Sequence, residues 1–426
     1  MSPAPAMTVP LQAKGAPSMG RLLFLLVFNV GAWAVLRSLW PGLLQKWRLG
    51  AFALGTFLSL VAWLYSAVAG RHAQLPVGDA ALRVFSVGWS VAIIMIVLGG
   101  APLLLLRRWL DRPARKEPPL TAPEATPAPP VNMARRNLLT NAGRAVPLLA
   151  AGTSSVGLAN GYTQFSVREI DIHLPGLPPA MDGFRIGQIT DVHVGTFIDT
   201  QYLQDAVRAM NDAKVDLQVM TGDLIDDLDQ LDGTMEALSE CKARHGMLAI
   251  LGNHEHWRGL EAIRQAYADV EARGGPVRLL VDTSHAFEHA GQRVRVVGVD
   301  YPMSGRSHRV KAERMRQSAE AGFRDVAPEE VVLCLTHHPD FFPLAAERGA
   351  RLTLAGHTHG GQVAFLGVPA LWFVFKYMLG RYRQGDHQLY VSGGTGHWLP
   401  FRIGVPTEVT VLTLRATGAS AAVRTS

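Results

Sequence analysis

The sequence predicts an α/β domain that follows a membrane-spanning helical region. Three observations support this prediction. Long apolar runs fill much of the first 110 residues, short β-rich runs alternate with helical runs from Phe184 onward, and polar clusters follow five of the β-like runs. Alternating strands and helices are typical of layered α/β domains, whose sites lie at the carboxyl ends of the strands. We therefore expect the chemistry of this chain in its C-terminal part.

Residues 1–110 are predicted to form a transmembrane region of three helices. The apolar runs cover residues 22–40, 49–69 and 84–106. The second and third runs are long enough to cross the hydrocarbon core of a bilayer, which takes about 20 residues. The first run is long enough only if Arg37 extends its charged group to the membrane surface. The chain is therefore expected to be a multi-pass membrane protein.

The charges of the chain are divided unevenly between its two parts. Residues 1–160 contain 15 of the 41 Lys and Arg residues and 4 of the 35 acidic residues, so residues 161–426 contain 26 basic and 31 acidic side chains. The basic excess therefore belongs to the membrane half, where Lys and Arg set the topology. A nucleic-acid partner is not expected, because the C-terminal part lacks a basic excess.

Residues 111–160 are predicted to connect the helices to the globular domain, residues 161–426. Basic residues crowd positions 107–116, which places the end of the third span in the cytoplasm. A Pro-rich linker follows, then Arg135-Arg136 and a weak fourth apolar segment at 145–159, which resembles a twin-arginine export signal. If this segment crosses the membrane, the domain is extracytoplasmic, as we expect. If it is an amphipathic or disordered connector, the domain is cytoplasmic.

From Phe184 onward, strands and helices are predicted at short intervals. Runs of branched apolar residues bounded by Gly, Asp or Asn predict strands, and apolar residues repeating every three or four positions predict helices. The strands are expected at 184–191, 215–222, 247–252, 294–299, 331–336, 352–356, 389–392 and 408–414, and the helices at 201–214, 233–243 and 260–273. Two late histidines, His387 and His397, are expected at the surface.

Five polar clusters follow predicted strands. They are Asp191-Val192-His193, Gly222-Asp223, Gly252-Asn253-His254-Glu255, His337-His338-Pro339 and Gly356-His357-Thr358-His359-Gly360-Gly361. Taken singly, a Gly-Asp pair is usually a turn and a lone histidine is usually a surface or core group. The Asp-x-His and His-x-His pairs are more informative, because residues i and i+2 of an extended segment project to the same side. Imidazole and carboxylate ligands together favour Zn, Mn or Fe over Ca.

The ordered set of clusters resembles the calcineurin-like metallophosphoesterase superfamily, whose blocks run D-x-H, G-D, G-N-H-E/D, H and G-H-x-H. The resemblance covers residues 184–414. The block at 356–362, followed by 390–392 and 408–410, is similar to the membrane-associated bacterial phosphodiesterase branch. One departure is Gly393, where that branch would have a basic residue after the serine, and this leaves a phosphate contact at Gly393 in doubt.

This resemblance implies a four-layer α/β/β/α sandwich that binds two divalent metal ions, Mn, Fe or Zn, at its strand ends. It assigns Asp191, His193 and His359 to the first metal, Asn253, His337 and His357 to the second, and Asp223 to a bridge between them. At the adjacent pair His337-His338, the first histidine matches the ligand position.

The same resemblance implies a catalytic role for His254, which would stabilise the transition state or protonate the leaving oxygen. Asp226 or Asp227 could orient it through a hydrogen bond. Two cations about 3.5–4 Å apart lower the pKa of a bridging water and supply hydroxide near neutral pH. These roles describe a metal-dependent phosphoric ester hydrolase.

The function expected from the sequence is that of a membrane-anchored dinuclear-metal phosphodiesterase in a bacterial inner membrane. Its partners would be the membrane and a phosphoester substrate, for which a lipid-linked ester is one candidate, because anchoring raises the effective concentration along the bilayer. The alternatives are a phosphomonoesterase of the same fold and a non-catalytic metal-binding scaffold. The aromatic stretch 370–379 is expected either to pack inside the protein or to meet the membrane or an acyl chain. The sequence predicts no oligomeric state.

Overall fold

The computed structural model describes residues 19–40, 45–68, 79–110, 133–303 and 307–417. The chain divides into two compact units, Met1–Ser155 and Val156–Ser426, which we call unit 1 and unit 2. The predicted Pro-rich linker begins at residue 111, and its residues up to 132 lie outside the described residues. The predicted domain limits of 1–110, 111–160 and 161–426 stay a prediction.

The described residues of unit 1 are helical. The helices are α1 (Met19–Leu39), α2 (Trp47–Val68), α3 (Asp79–Leu110) and α4 (Met133–Gly161), the last of which continues into unit 2. The segments Trp47–Tyr65 and Ala81–Leu110 are long and apolar enough to cross a membrane, judged by length and composition. The apolar part of α1, Leu23–Leu39, is shorter. Two of the three predicted spans thus meet this criterion, and the first does not reach its length.

One buried asparagine links three of these apolar helices. Asn29 of α1 is 3% exposed, and its side-chain oxygen accepts hydrogen bonds from Thr56 of α2 at 2.9 Å and Trp89 of α3 at 3.0 Å. Polar side chains in apolar helices stabilise helix packing when they find such partners. The helices α1, α2 and α3 therefore pack through specific polar contacts as well as apolar ones.

Unit 2 contains fourteen strands among its described residues. In chain order they are β1 (Ser166–Pro175), β2 (Arg185–Ile189), β3 (Leu217–Thr221), β4 (Met247–Ile250), β5 (Val277–Leu279), β6 (Thr283–His289), β7 (Gln292–Gly298), β8 (Val331–Leu335), β9 (Leu352–Ala355), β10 (Ala364–Phe365), β11 (Val368–Pro369), β12 (Gly380–Gln384), β13 (His387–Val391) and β14 (Glu408–Thr417). Its helices are α5 (Thr200–Asp212), α6 (Leu231–Ser239), α7 (Asn253–Arg258), α8 (Leu260–Ala272), α9 (His308–Gly322) and α10 (Phe342–Glu347).

Twelve of these strands form two six-stranded sheets that pack face to face, and β10 and β11 pair with each other. Their orders are β1-β14-β2-β3-β4-β5 and β12-β13-β9-β8-β7-β6. Side chains such as Ile186 and Val219 from the first sheet meet Val296 and Leu354 from the second in one buried core. Helices α5, α6 and α8 cover the outer face of the first sheet, and α9 and α10 cover that of the second. These layers confirm the predicted four-layer α/β/β/α sandwich.

The parallel strands of both sheets bring their carboxyl ends to shared edges. Strands β2, β3 and β4 are parallel neighbours in the first sheet, and β7, β8 and β9 are parallel neighbours in the second. Each of the five polar clusters begins within two residues of the end of β2, β3, β4, β8 or β9. Adjacent strands therefore deliver residues that are far apart in sequence to one place.

Candidate metal centre

The backbone at the polar clusters adopts conformations that most residues avoid. Five non-glycine residues in these clusters have positive φ angles: Asp191 (53°), His193 (59°), Asp223 (53°), His357 (74°) and His359 (49°). Such conformations cost free energy and are retained mainly at functional sites. Glycine is also required at position 356, because a Cβ there would lie 2.0 Å from the Oδ2 atom of Asp191. The loops are therefore shaped to turn several side chains toward one point.

One group of potential ligands, which we call site 1, consists of Asp191, His193 and His359. Their ligand atoms all lie within 4.8 Å of one another. The two histidine Nε2 atoms are 3.1 Å apart, and Nε2 of His359 is 3.4 Å from Oδ1 of Asp191. All three residues are at most 3% exposed. Carboxylate and imidazole groups converge in this way when they share a transition-metal ion.

A second group, which we call site 2, consists of Asp223, His337 and His357. Nε2 of His337 lies 3.2 Å from Oδ2 of Asp223 and 3.2 Å from Nδ1 of His357. The Nδ1 atom of His337 donates to the carbonyl oxygen of Thr221 at 2.8 Å. This bond fixes the ring so that its Nε2 atom faces the other members of the group.

Asp223 and Asn253 have the surroundings that their predicted metal roles require. Oδ2 of Asp223 is 3.2 Å from Nε2 of His337 in site 2 and 3.8 Å from Nε2 of His193 in site 1, so it lies between the two groups. Asn253 is 3% exposed, and its side-chain oxygen has no hydrogen-bond partner within the described part of the chain. A buried oxygen without a partner fits a cation ligand. The residues present therefore fit two divalent cations.

The next residue, His254, forms a closely bonded group with Asp226. Its Nδ1 atom is 2.5 Å from Oδ1 of Asp226, which also accepts a 2.7 Å bond from Nε of Arg258. The opposite ring atom, Nε2, is 3.8 Å from Oδ2 of Asp223. Of the two carboxylates that sequence reasoning left open, Asp226 is the one that contacts His254.

Comparisons with known proteins identify the domain. A family sequence model for calcineurin-like phosphoesterases matches residues 184–361. Residues 184–361 form a calcineurin-like metallophosphoesterase domain. This confirms the resemblance seen in the ordered clusters, and the domain is that of a metal-dependent phosphoester hydrolase.

Relatives extend the similarity beyond the residues that the family model matches. The metallophosphoesterase YkuE of Bacillus subtilis is 29% identical over 284 residues, which is 63% of this chain and 94% of that protein. A transmembrane protein with a metallophosphoesterase domain from Danio rerio is 28% identical over 284 residues, which is 63% of this chain and 61% of that protein. A solved dimetal phosphatase from Danio rerio is 16% identical, covers 50% of this chain and 88% of that one, and has a TM-score of 0.33.

The histidines of the metallophosphoesterase site differ in protonation. Burial lowers the pKa of both His357 and His359 well below the ordinary value, which keeps these imidazoles neutral. Burial also opposes protonation of His337, but the negative charge of Asp223 outweighs it and raises the pKa of His337 to about 9. Burial likewise opposes the charged form of His254, whose pKa is nevertheless raised, chiefly by its hydrogen bond to Asp226. Metal binding to His337 would therefore release a proton near neutral pH.

Glu255 holds the loops of the metallophosphoesterase site together, a role that sequence reasoning missed. It is 1% exposed and accepts hydrogen bonds from the backbone N–H groups of Gly252 at 2.6 Å, Asp223 at 3.0 Å and Leu224 at 2.6 Å. These donors belong to the loops after β3 and β4. Glu255 therefore fixes the position of Asp223 relative to Asn253. Its place in the third polar cluster was the feature of the sequence that could have indicated this role.

Arg402 is a second residue that sequence reasoning missed. It is 1% exposed, its Nη2 atom donates to Nδ1 of His359 at 3.1 Å, and its Nη1 atom donates to the carbonyl of Gly393 at 2.8 Å. Burial lowers the pKa of Arg402 to about 10. Position 393 is a glycine rather than a basic residue. Arg402 instead brings a basic side chain to this loop. No motif in the sequence signals this contact.

His397 and His338 occupy positions beside the ligand groups. The surface prediction for His397 is wrong, because this residue is 2% exposed and burial lowers its pKa to about 3. His338 contacts Nζ of Lys311 at 2.8 Å through its Nε2 atom and accepts from the N–H of Asp340 at 3.2 Å through Nδ1. Both ring nitrogens of His338 are therefore occupied, whereas Nε2 of His337 faces Asp223 and His357 of site 2.

Proposed function

We propose that this chain is a membrane-anchored dinuclear-metal phosphodiesterase that hydrolyses a phosphate ester. The observation that carries the proposal is the pair of ligand groups, site 1 and site 2, with Asp223 between them. Two adjacent cation sites at the strand ends of an α/β sandwich suit phosphoryl chemistry, because the charge of a phosphate needs more than one neutralising centre.

Each predicted site residue has a proposed role. Asp191, His193 and His359 would hold one cation, Asn253, His337 and His357 the other, and Asp223 would contact both. The mixture of nitrogen and oxygen ligands favours Mn, Fe or Zn. When bound, the two cations would supply an activated water for in-line attack and would neutralise the charge that develops on the phosphate oxygens.

His254 would act on the substrate itself. Asp226 accepts the Nδ1 proton of His254, which leaves the Nε2 atom directed toward the metal centre. The raised pKa of His254 favours its protonated form near neutral pH, so that Nε2–H would donate to a phosphate oxygen or to the leaving oxygen. Arg258 also donates to Asp226 and limits the positions that this carboxylate can adopt.

The membrane anchor defines where the enzyme would act. We propose a multi-pass protein of a bacterial inner membrane, and the two long apolar segments of α2 and α3 support its membrane anchoring. The outer side is proposed for the catalytic unit because a segment that resembles a twin-arginine export signal precedes it. A chain confined to a bilayer meets lipid-linked esters at a high effective concentration. A lipid-linked phosphodiester is therefore the substrate class that we propose.

The activity can be tested with the purified full-length chain and added Mn²⁺. We expect hydrolysis of bis-p-nitrophenyl phosphate that EDTA abolishes and that Asn253→Ala lowers by at least about a hundredfold, because this variant removes a proposed ligand. Asn137→Ala, which changes an exposed residue of α4, is the matched control and should leave turnover unchanged.

The other outcomes of this assay are equally informative. Turnover of p-nitrophenyl phosphate alone would indicate a phosphomonoesterase of the same fold. Bound metal without turnover of either ester would contradict the proposed hydrolysis and favour the scaffold.

A further inference from the structure

A short hairpin of unit 2 exposes an unusual concentration of large apolar side chains. Strands β10 and β11 form this hairpin, and the chain continues to Val374; we call residues 364–374 the apolar hairpin. Fourteen large apolar residues are exposed in the described part of unit 2, and half of them lie here. They are Phe365, Leu366, Val368, Leu371, Trp372, Phe373 and Val374. Exposed apolar surface concentrated in this way marks an interaction site.

The tip of the hairpin is apolar where a soluble hairpin would be polar. Leu366 and Gly367 form the two-residue turn between β10 and β11, both with positive φ angles of 51° and 81°. Such turns favour Asn-Gly, because leucine is strained in this conformation and gains nothing from contact with water. Leu366 is nonetheless fully exposed, at 104%. A strained leucine at this place indicates that the tip is stabilised by apolar surroundings outside the chain.

The charges around the apolar hairpin indicate what kind of surface it meets. Residues 359–385 contain no Asp or Glu, and their charged side chains are Lys376, Arg381 and Arg383, of which Arg383 lies 3.4 Å from Asp386. Tryptophan and phenylalanine flanked by basic residues are typical of segments that bind the interface of anionic phospholipids. A protein partner of ordinary composition would not require this absence of acidic residues.

The chain enters unit 2 at the base of the apolar hairpin. The N–H of Ala364 donates to the carbonyl of Ile403 at 2.7 Å, and the N–H of Arg402 donates to the carbonyl of Gly157 at 2.8 Å. Gly157 lies in the last turns of α4, and a Cβ there would be 2.2 Å from the ring of Phe401. The loop around residues 401–403 therefore supports both the hairpin and the segment that follows the apolar helices.

The segment directly after the apolar hairpin contacts the metal centre. The hydroxyl of Thr358, between two proposed ligands, donates to the carbonyl of Met378 at 2.5 Å. The ring of Phe375, directly after the hairpin, lies 6.0 Å from the ring of His357 between centroids. A surface that holds the hairpin would therefore lie close to His357 of site 2.

We propose that the apolar hairpin inserts into the surface of an anionic phospholipid bilayer and holds the metal centre at the lipid interface. The side chains of Leu366, Trp372 and Phe373 would enter the acyl region, and Lys376 would meet the headgroups. Docking itself is independent of catalysis, whereas its effect on turnover rests on the proposed phosphodiesterase activity.

Fluorescence of a label at the hairpin tip tests the docking directly. Leu366→Cys in the full-length chain is labelled with bimane, which should be selective because Cys241 and Cys334 are buried. In bilayers of phosphatidylglycerol and phosphatidylethanolamine we expect blue-shifted emission that nitroxide-labelled lipids quench. Glu288→Cys, an exposed residue of β6, is the control and should show aqueous emission without quenching. Aqueous emission at both positions would overturn the proposal, as would quenching that depends on a second copy of the chain rather than on lipid.

A pair of substrates tests the consequence for turnover. Leu366→Asn keeps a residue that suits the turn, and we combine it with Phe373→Ser. We expect turnover of dioleoylphosphatidyl-p-nitrophenol in the same bilayer to fall on the order of tenfold, with turnover of soluble bis-p-nitrophenyl phosphate within about twofold of the unmodified chain. Val310→Asn, which changes an exposed apolar residue of α9, should alter neither rate.

The two experiments separate failure of this inference from failure of the proposed function. Equal loss on both substrates would contradict lipid docking, because it would mean that the hairpin acts on the metal centre alone. If the unmodified chain hydrolyses neither ester, the proposed activity fails, and the fluorescence result still decides whether the hairpin docks.

Discussion

Site 1 and site 2 contain similar candidate ligands, but different parts of the chain hold them in place. In site 2, the Thr221 carbonyl that orients His337 lies two residues before Asp223, inside the same strand-end segment. In site 1, His359 is contacted by Arg402, which lies 43 positions later in the sequence. The comparison shows that similar candidate ligands can depend on partners inside their motifs or far outside them.

The groups that contact His337 and His359 also differ in charge. The partner of His337 is a neutral carbonyl at the end of β3, whereas Arg402 is a buried cation that donates to the carbonyls of Gly393 and Val405 as well as to His359. A buried cation is stabilised only by such hydrogen bonds. Arg402 therefore ties the ring of His359 to the loop before β14, and that loop should matter to site 1 more than to site 2.

The largest effect is expected from removing the residue that the two sites share. Asp223→Asn should lower turnover at least about a thousandfold, because it weakens both proposed metal sites at once. Elemental analysis should show fewer than two metal ions per chain. Asp232→Asn on α6 is the matched control and should keep both metals and full turnover. Two retained metals in Asp223→Asn would contradict its role between the sites.

Replacing one histidine in each site should separate them. His359→Asn and His357→Asn should each lower turnover on the order of a hundredfold and each leave one metal bound, because each removes a ligand of only one site. With Mn²⁺, electron paramagnetic resonance should change from the signal of a coupled pair to that of a single ion. Loss of both metals from either variant would show that the sites bind metal cooperatively. It would contradict the view that the two sites depend on different parts of the chain.

A smaller effect is expected at His254, the proposed general acid beside both sites. Asp226 raises the pKa of His254, so a step that requires protonated His254 proceeds below that pKa and is lost as the pH rises through it. Asp226→Asn lowers this pKa, so the falling limb of the pH–kcat profile should move to lower pH. At pH 8 we expect a loss of about tenfold.

The matched variant for this experiment is Asp227→Asn, whose carboxylate caps the short helical turn at Leu228–Gln230 instead of contacting His254. It should leave the falling limb in place, and metal content should be unchanged in both variants. An unmoved limb in Asp226→Asn would mean that His254 is not the group that titrates.

The smallest effect on turnover is expected at Arg402, where the main loss should be in stability. Arg402→Met leaves the carbonyls of Gly393 and Val405 without their donor, which should cost about 2–3 kcal/mol and lower the Tm by about 5 °C or more. Calorimetry with and without metal measures this change. Arg309→Met, at an exposed position of α9, should leave the Tm unchanged. An unchanged Tm in Arg402→Met would contradict a stabilising role of Arg402 beside site 1.

The strands that carry the site were predictable because each is a short apolar run followed by glycine and polar residues. The predicted strands at 184–191, 215–222 and 331–336 correspond to β2, β3 and β8 with limits that differ by a few residues. Strands β1 and β6 were not predicted, because their side chains are largely partly exposed or exposed and their apolar pattern is weak. They lie at sheet edges, where one neighbour is enough to form a strand.

The apolar helices were partly predictable for the same reason. Length and composition identify the spans in α2 and α3, but whether α1 crosses the membrane depends on how Arg37 is accommodated, which composition does not state. Similarly, the aromatic stretch 370–379 was ambiguous between packing and exposure. In the fold this stretch is partly packed and partly exposed, because Tyr377 and Met378 are buried whereas Trp372 and Phe373 are exposed.

The amino-acid sequence was enough to predict the alternating strands and helices, the polar clusters that follow the strands and the apolar N-terminal helices, since each is encoded by residues that are neighbours along the chain. The four-layer sandwich was predicted from the family resemblance of the ordered clusters. The contacts of Glu255, the pairing of Asp226 with His254 and the placing of Arg402 against His359 were decided only by tertiary structure. In the contacts of Glu255 with Asp223, Asp226 with His254 and Arg402 with His359 the partners lie between 28 and 43 positions apart, and only folding brings their atoms within hydrogen-bond distance. Burial then changes their pKa values, because desolvation acts on a charge only after the chain has closed around it.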